Sequence, residues 1–150
     1  MPQEIKVDGL DELIADMTAY PVELTKITAQ SMTASLIALW EKVPPYPQQD
    51  ASSNYRRTGT LGRSLGSSEQ GGASGNPSIF NVKQLGVGNV EGVFGTNLNY
   101  ADYVIGENQA GMHSSNWWNI RTIAERAADK IEKIWQQCGD LLAALLEGKK

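Results

Sequence analysis

Residues 120–145 read IRTIAERAADKIEKIWQQCGDLLAAL, and their periodicity decides the architecture. Ile120, Ile123, Ala124, Ala127, Ile131, Ile134, Trp135, Cys138, Leu141, Leu142 and Leu145 recur at the offsets of one helical face for about seven turns. Arg121, Glu125, Arg126, Asp129, Lys130, Glu132, Lys133 and Gln137 fall mainly on the other face. Only Gly139 weakens the pattern. An apolar stripe of that length has to be buried against a second layer.

Two other zones supply that layer. Residues 1–43 hold a single glycine and read as helix. Asp8 is placed as an N-cap before the stripe Leu10, Leu13, Ile14 and Met17. Pro21 interrupts it, because proline removes a backbone donor and clashes with the preceding turn. A second helix then carries Val22, Ala29, Met32, Leu36, Leu39 and Val43 on its predicted apolar face, while Leu24 and Ile27, then Ser31, Ala34 and Ala38, form a flank of smaller residues that would admit a close neighbour. Pro44-Pro45-Tyr46-Pro47 ends it. The middle zone, 44–99, is different. Ten of the fifteen glycines lie between Gly59 and Gly95. Leu61 and Leu65, one turn apart, predict a short helix. Residues 66–78 are almost free of apolar side chains and predict a mobile loop. Strand-forming residues run from Ile79 to Val87 and from Val90 to Thr96, with Gly88-Asn89 or Glu91-Gly92 as the turn of an antiparallel hairpin. Asn99 to Val104 predict a helical turn, and 106–115 a loop before the long helix. The fold class expected is α+β in one domain: a small antiparallel sheet of about three to four strands, covered by a long N-terminal helical region and a long C-terminal helix.

Composition excludes several functions. The chain of 150 residues has one cysteine, Cys138, and one histidine, His113, so neither a thiolate cluster nor a His-rich metal site can form within it. No cofactor is expected. No apolar run reaches the ~18–20 residues of a membrane span, and Met1-Pro2-Gln3-Glu4 lacks the basic and apolar regions of a secretory leader. The net charge of −4 is a poor electrostatic start for coating nucleic acid. The mixed signs on the polar face of the long helix argue against an anionic membrane surface. Gly86-Val87-Gly88 and Gly92-Val93-Phe94-Gly95 match no phosphate-binding glycine pattern.

What remains is a set of surface residues. Arg56, Arg57 and Arg63, with Tyr55, form the one basic cluster. It suits a contact with acidic groups of a neighbouring subunit, or with phosphates in a nucleic-acid-binding module. Trp117-Trp118 read as core or interface anchors. A small cell-wall hydrolase working through Glu107 or His113 is the enzymatic alternative, although a nucleophile–base pair cannot be read from adjacency in a loop.

Three segments in order carry a resemblance. The proline-ended long helix precedes Arg57-Thr58-Gly59-Thr60-Leu61-Gly62-Arg63-Ser64-Leu65, which resembles the T-G-x-L-[RK]-x-S-[IL] segment of the small tail-component, or tail-completion, family of long-tailed double-stranded-DNA bacteriophages. Val93-Phe94-Gly95-Thr96-Asn97-Leu98-Asn99-Tyr100-Ala101-Asp102-Tyr103-Val104 resembles that family's V-G-T-[ND]-x-x-Y-A-x-Y-[VI]. Gly111-Met112-His113, Trp117-Trp118 and the long C-terminal helix complete a likeness over about residues 5–145. Gly62 stands where a basic residue is common, and Ile105-Gly106 precede Glu107 where the acid usually follows at once.

The resemblance implies a non-enzymatic virion protein of a phage or prophage, made in the host bacterial cytoplasm and then built into the neck or tail end. It implies a homo-oligomeric ring docked to other head–tail connector or tail proteins, near DNA in transit, with neither membrane nor small-molecule substrate. A ring requires two different patches on each subunit. Arg56, Arg57 and Arg63 on one, with Asp102 and Glu107 on the other, would set register.

Overall fold

The computed structural model describes residues 20–48, 51–52, 59–67 and 75–148. The N-terminal stripe from Asp8 to Met17, the Tyr55-Arg56-Arg57 cluster and the centre of the 66–78 loop lie outside the described residues. The chain is α+β. In order, α1 spans Pro21–Trp40, α2 Thr60–Ser64, β1 Ile79–Gly86, β2 Asn89–Gly95, α3 Ala101–Ile105, α4 Gly111–Ser114 and α5 Ile120–Glu147.

Helix α1 starts at Pro21, where the missing donor is harmless and φ is already helical. Helix α5 starts at Asn119, whose side chain accepts the Arg121 N–H at 2.9 Å. The two are antiparallel: Leu24 near the start of α1 meets Leu142, Leu145 and Leu146, while Glu41 just past its end pairs with Lys130.

The face that α1 buries is turned from the predicted stripe toward its flank of smaller residues, with Leu36 common to stripe and buried face. Val22 is 75% exposed, whereas Leu24, Thr28, Ser31, Ser35, Leu36 and Ala38 are buried. The reason lies in the hydroxyls. Thr28 donates to the Leu24 carbonyl at 2.9 Å, Ser31 to Ile27 at 2.9 Å and Ser35 to Ser31 at 2.8 Å. Each hydroxyl is satisfied inside its own helix, so it buries as a small side chain without an orphaned polar group. α1 is thereby narrow enough to lie between α5 and the sheet.

The sheet has two strands among the described residues, not three or four. β1 and β2 pair antiparallel, with Phe80 opposite Phe94, Val82 opposite Gly92 and Lys83 opposite Glu91. Val87-Gly88 makes the turn, Gly88 taking φ +67. An irregularity between Gln84 and Gly86 sets Leu85 outside the pairing. Gly92 does not serve a turn. A Cβ there would lie 2.6 Å from Met32 Sδ and 3.1 Å from Leu36 Cδ2, so the glycine admits α1 onto the sheet.

The open end of the hairpin is clamped to α2. Ser64 accepts the Ser78 N–H at 2.7 Å through its carbonyl, and its hydroxyl is 2.7 Å from that of Thr96. Trp40 holds the same corner, donating through Nε1 to the Gly66 carbonyl at 2.9 Å and meeting Phe80 edge-on at 6.1 Å. Ser67 is buried and donates to the Pro44 carbonyl at 3.1 Å. The predicted loop thus begins as fixed structure at Gly66 and Ser67. Below lies the core: Val43, Leu61, Leu65, Ala101, Val104, Ile105 and Ile123. A short helix, α4, also falls within the segment predicted as loop.

Candidate functional site

The two segments that carry the family resemblance meet in space. Gly59, Thr60 and Leu61 at the start of α2 face Tyr100, Tyr103 and Val104 of α3 across a cleft of about 340 Å³. Tyr46, Pro47, His113 and Trp117 complete its lining among the described residues. About forty residues separate the two segments in sequence.

Local chemistry builds each wall. The Tyr46 ring lies against Gly62, at a position a Cβ would occupy. That glycine inside α2 therefore makes room for an aromatic ring. Gly59 takes φ +69 and turns the chain into α2, with the Arg63 guanidinium 3.0 Å from where its Cβ would stand. The α3–α4 connection is laced from within. Ala110 N–H donates to the Tyr103 carbonyl at 2.8 Å, and the Gln109 amide donates to the carbonyls of Val104 (2.8 Å) and Trp117 (3.2 Å). Asn119 donates to the Gly106 carbonyl at 2.8 Å while capping α5. One side chain thus couples the end of α3 to the start of the long helix.

Among the described residues the walls of the cleft carry aromatic rings, several hydroxyls and one imidazole, and neither a carboxylate nor an amine. Tyr103 is 61% exposed and Tyr100 42%, an unusual outlay of aromatic surface beside a polar rim.

The predicted site residues scatter around this cleft. Arg63 is exposed on α2 at its edge. Asp102 is exposed on α3, its carboxylate accepting the Asn108 side-chain amide at 2.5 Å and the Asn108 N–H at 3.4 Å. Glu107 lies in a different depression, with Leu39, Phe94, Ile120 and Arg121, and pairs with Arg121 at 3.6 Å. Both partners are more than two-thirds exposed, so water and salt screen the pair. Both carboxylates of the expected acidic patch are thus already engaged within the chain, and Glu107 and His113 do not share a pocket. Trp117 and Trp118 pack against the core with ring centroids 6.4 Å apart; Trp117 also lines the cleft. Arg56 and Arg57 lie outside the described residues. Among the described residues no three His, Cys, Asp or Glu side chains gather as a metal site, and no helix is long and apolar enough to cross a membrane.

Charge-based reading of the sequence missed Tyr46, Tyr100 and Tyr103 as partners. The signal was present in Gly62, since a glycine within a helix marks close approach by another group. Compared with family models, curated proteins and solved structures, the chain matches none.

Proposed function

We propose that this protein is a non-enzymatic structural component of a phage or prophage virion, a tail-completion or connector subunit that forms a ring and docks to neighbouring head–tail or tail proteins. The observation that supports it best is the convergence of the Thr60-Leu61 and Tyr100–Val104 segments on one exposed aromatic cleft. A family-like pattern that builds a surface, and not a set of acid–base groups, suits a protein whose work is contact. Aromatic rings ringed by polar atoms are the usual anchors of such contacts. Arg63, at the edge of the cleft, and Arg56 and Arg57 upstream of it fit the role of positive register groups facing a neighbour. A three- or four-stranded sheet belongs to the assembled form, in which a different virion protein pairs the strand edge left open among the described residues. Host cytoplasm during assembly and the virion neck afterwards are the corresponding locations.

Deleting the gene from its phage tests the proposal. Complete heads and complete tails that fail to join, rescued by the gene in trans, are expected. Normal virions from the deletion, or a purified protein that stays monomeric at high concentration and binds no tail or connector protein, would overturn it.

A further inference from the structure

Among the described residues β2 is the only strand beside β1, and the other edge of β1 is open. Among the described residues no backbone group pairs with it, and alternate residues of an antiparallel strand direct N–H and C=O outward. Beside that edge runs a groove between β1 and α1. Two depressions of about 720 and 750 Å³ share Lys26 and Gln84, and so form one trough along the helix. Its helix wall sets the small Ala29, Thr33 and Ala34 among the longer Lys26, Gln30 and Ile37. Its ends expose apolar groups: Val22 at 75%, Leu85 and Val87 at 54%, and Ile37 at 39%. The other side of the hairpin is not equivalent, for there Phe94 faces Ile120, Ile123 and Ala124 of α5.

Unpaired main chain beside a shallow apolar trough selects an extended strand; a helix would leave the edge groups unpaired. Charge narrows the choice. Among the described residues Lys26 is the only charged one lining the trough, and Lys83 is the only one in β1. Neither makes a hydrogen bond or ion pair among the described residues. Val82 and Gln84 line the trough, so Lys83, between them, projects from the opposite face. A docked strand therefore meets a cation on each face. A second copy of β1 is a poor occupant, because it brings Lys83 and the bulge at Leu85 to the same edge; edge lysines and bulges are the devices that keep sheet edges from pairing with themselves. A strand bearing carboxylates meets no such barrier.

We infer that the β1 edge is a strand-addition site for an extended segment of another protein, alternating apolar residues with at least one carboxylate opposite Lys83. The inference rests on the connector reading only for the origin of that segment. The chain already holds one example of such a strand: β2, NVEGVFG, places Glu91 opposite Lys83 on the inner side.

An end-capped peptide of that sequence, titrated into the full ¹⁵N-labelled protein, is the probe. Amide shifts are expected along β1 and the Lys26–Ile37 face of α1. In hydrogen exchange, alternate β1 amides should gain protection while those bonded to β2 stay protected throughout. The peptide with lysine at the Glu91 position should bind about fivefold more weakly, and the Lys83→Glu protein should reverse that preference, in line with one surface charge pair. Shifts confined to the aromatic cleft, uniform protection of β1 or equal binding of both peptides would each overturn the inference. So would dimerisation of the unliganded protein through β1, which makes a second copy the occupant. Peptide binding by a protein that joins no heads to tails would sink the connector reading and leave the edge site standing.

Discussion

The aromatic cleft and the α1–β1 trough are both surface depressions, yet they are finished differently. Around the cleft the chain satisfies itself: Gln109, Asn119 and the backbone of Ala110 bond inward, and Leu65, Ile105 and Ile123 beneath it are almost wholly buried. Along the trough no described residue pairs with the backbone edge, and the apolar residues at its ends are exposed. The first surface is held rigid by its own residues before any partner arrives. The second is completed by what binds it. Rigid aromatic anchors lose little entropy on docking, while an open sheet edge gains its hydrogen bonds only on docking. One chain thereby carries two unlike faces, the kind of pair that the proposed ring would need.

That contrast breaks first at Leu65. It is fully buried in the core under the cleft. Replacing it with alanine should lower stability by about 2–5 kcal/mol, from lost transfer energy and the cavity left behind. Denaturant unfolding should show a lower midpoint with an unchanged slope. A loss below 1 kcal/mol would mean the cleft floor is looser than its burial implies.

A smaller effect, and a reversible one, is expected at Gly62. Its missing Cβ position falls on the Tyr46 ring, so Gly62→Ala should destabilise by about 1–3 kcal/mol through overpacking. In a Tyr46→Ala background the same change should turn stabilising by about 0.5–1 kcal/mol, because alanine is the better residue inside a helix. A double-mutant cycle measures the coupling. Additive effects would show that the ring does not rest on Gly62.

The same contrast governs how much was legible beforehand. α5 could be read because its stripe runs nearly its whole length, although Ala124 and Leu141 of that stripe are exposed. The hairpin could be read because β-branched runs flank a glycine that takes positive φ. The buried face of α1 could be read only in part: Leu36 and the flank of Leu24, Ser31 and Ala38 are buried, but Thr28 and Ser35 look polar until their hydroxyls are seen bonding back one turn. Gly92 was read as a turn or bulge residue, while its reason is the approach of Met32 and Leu36. Cleft residues betrayed themselves through motifs, but only as two separate segments; that α2 and α3 face each other is a long-range fact. The strand edge left no sequence signal at all. An edge is defined by a missing neighbour, and no residue type encodes an absence.

The smallest expected effect tests that open edge most directly. Leu85 lies outside the β pairing and is 54% exposed, beside Val87 at the same value. Were these residues part of a core, Leu85→Thr would remove buried methylenes and lower stability by well over 1 kcal/mol. As surface residues awaiting a partner they contribute little to the isolated fold, and threonine keeps the β propensity of the site. Leu85→Thr should therefore change unfolding free energy by less than about 0.5 kcal/mol. The same variant should weaken the binding of a strand laid along β1, because the partner's apolar residues then face a hydroxyl. Stability unchanged and strand binding reduced is a pair of results that a merely decorative surface leucine cannot produce. A large loss of stability would instead show that this end of the trough is already filled by the chain itself, and the division between a finished face and an unfinished one would fail.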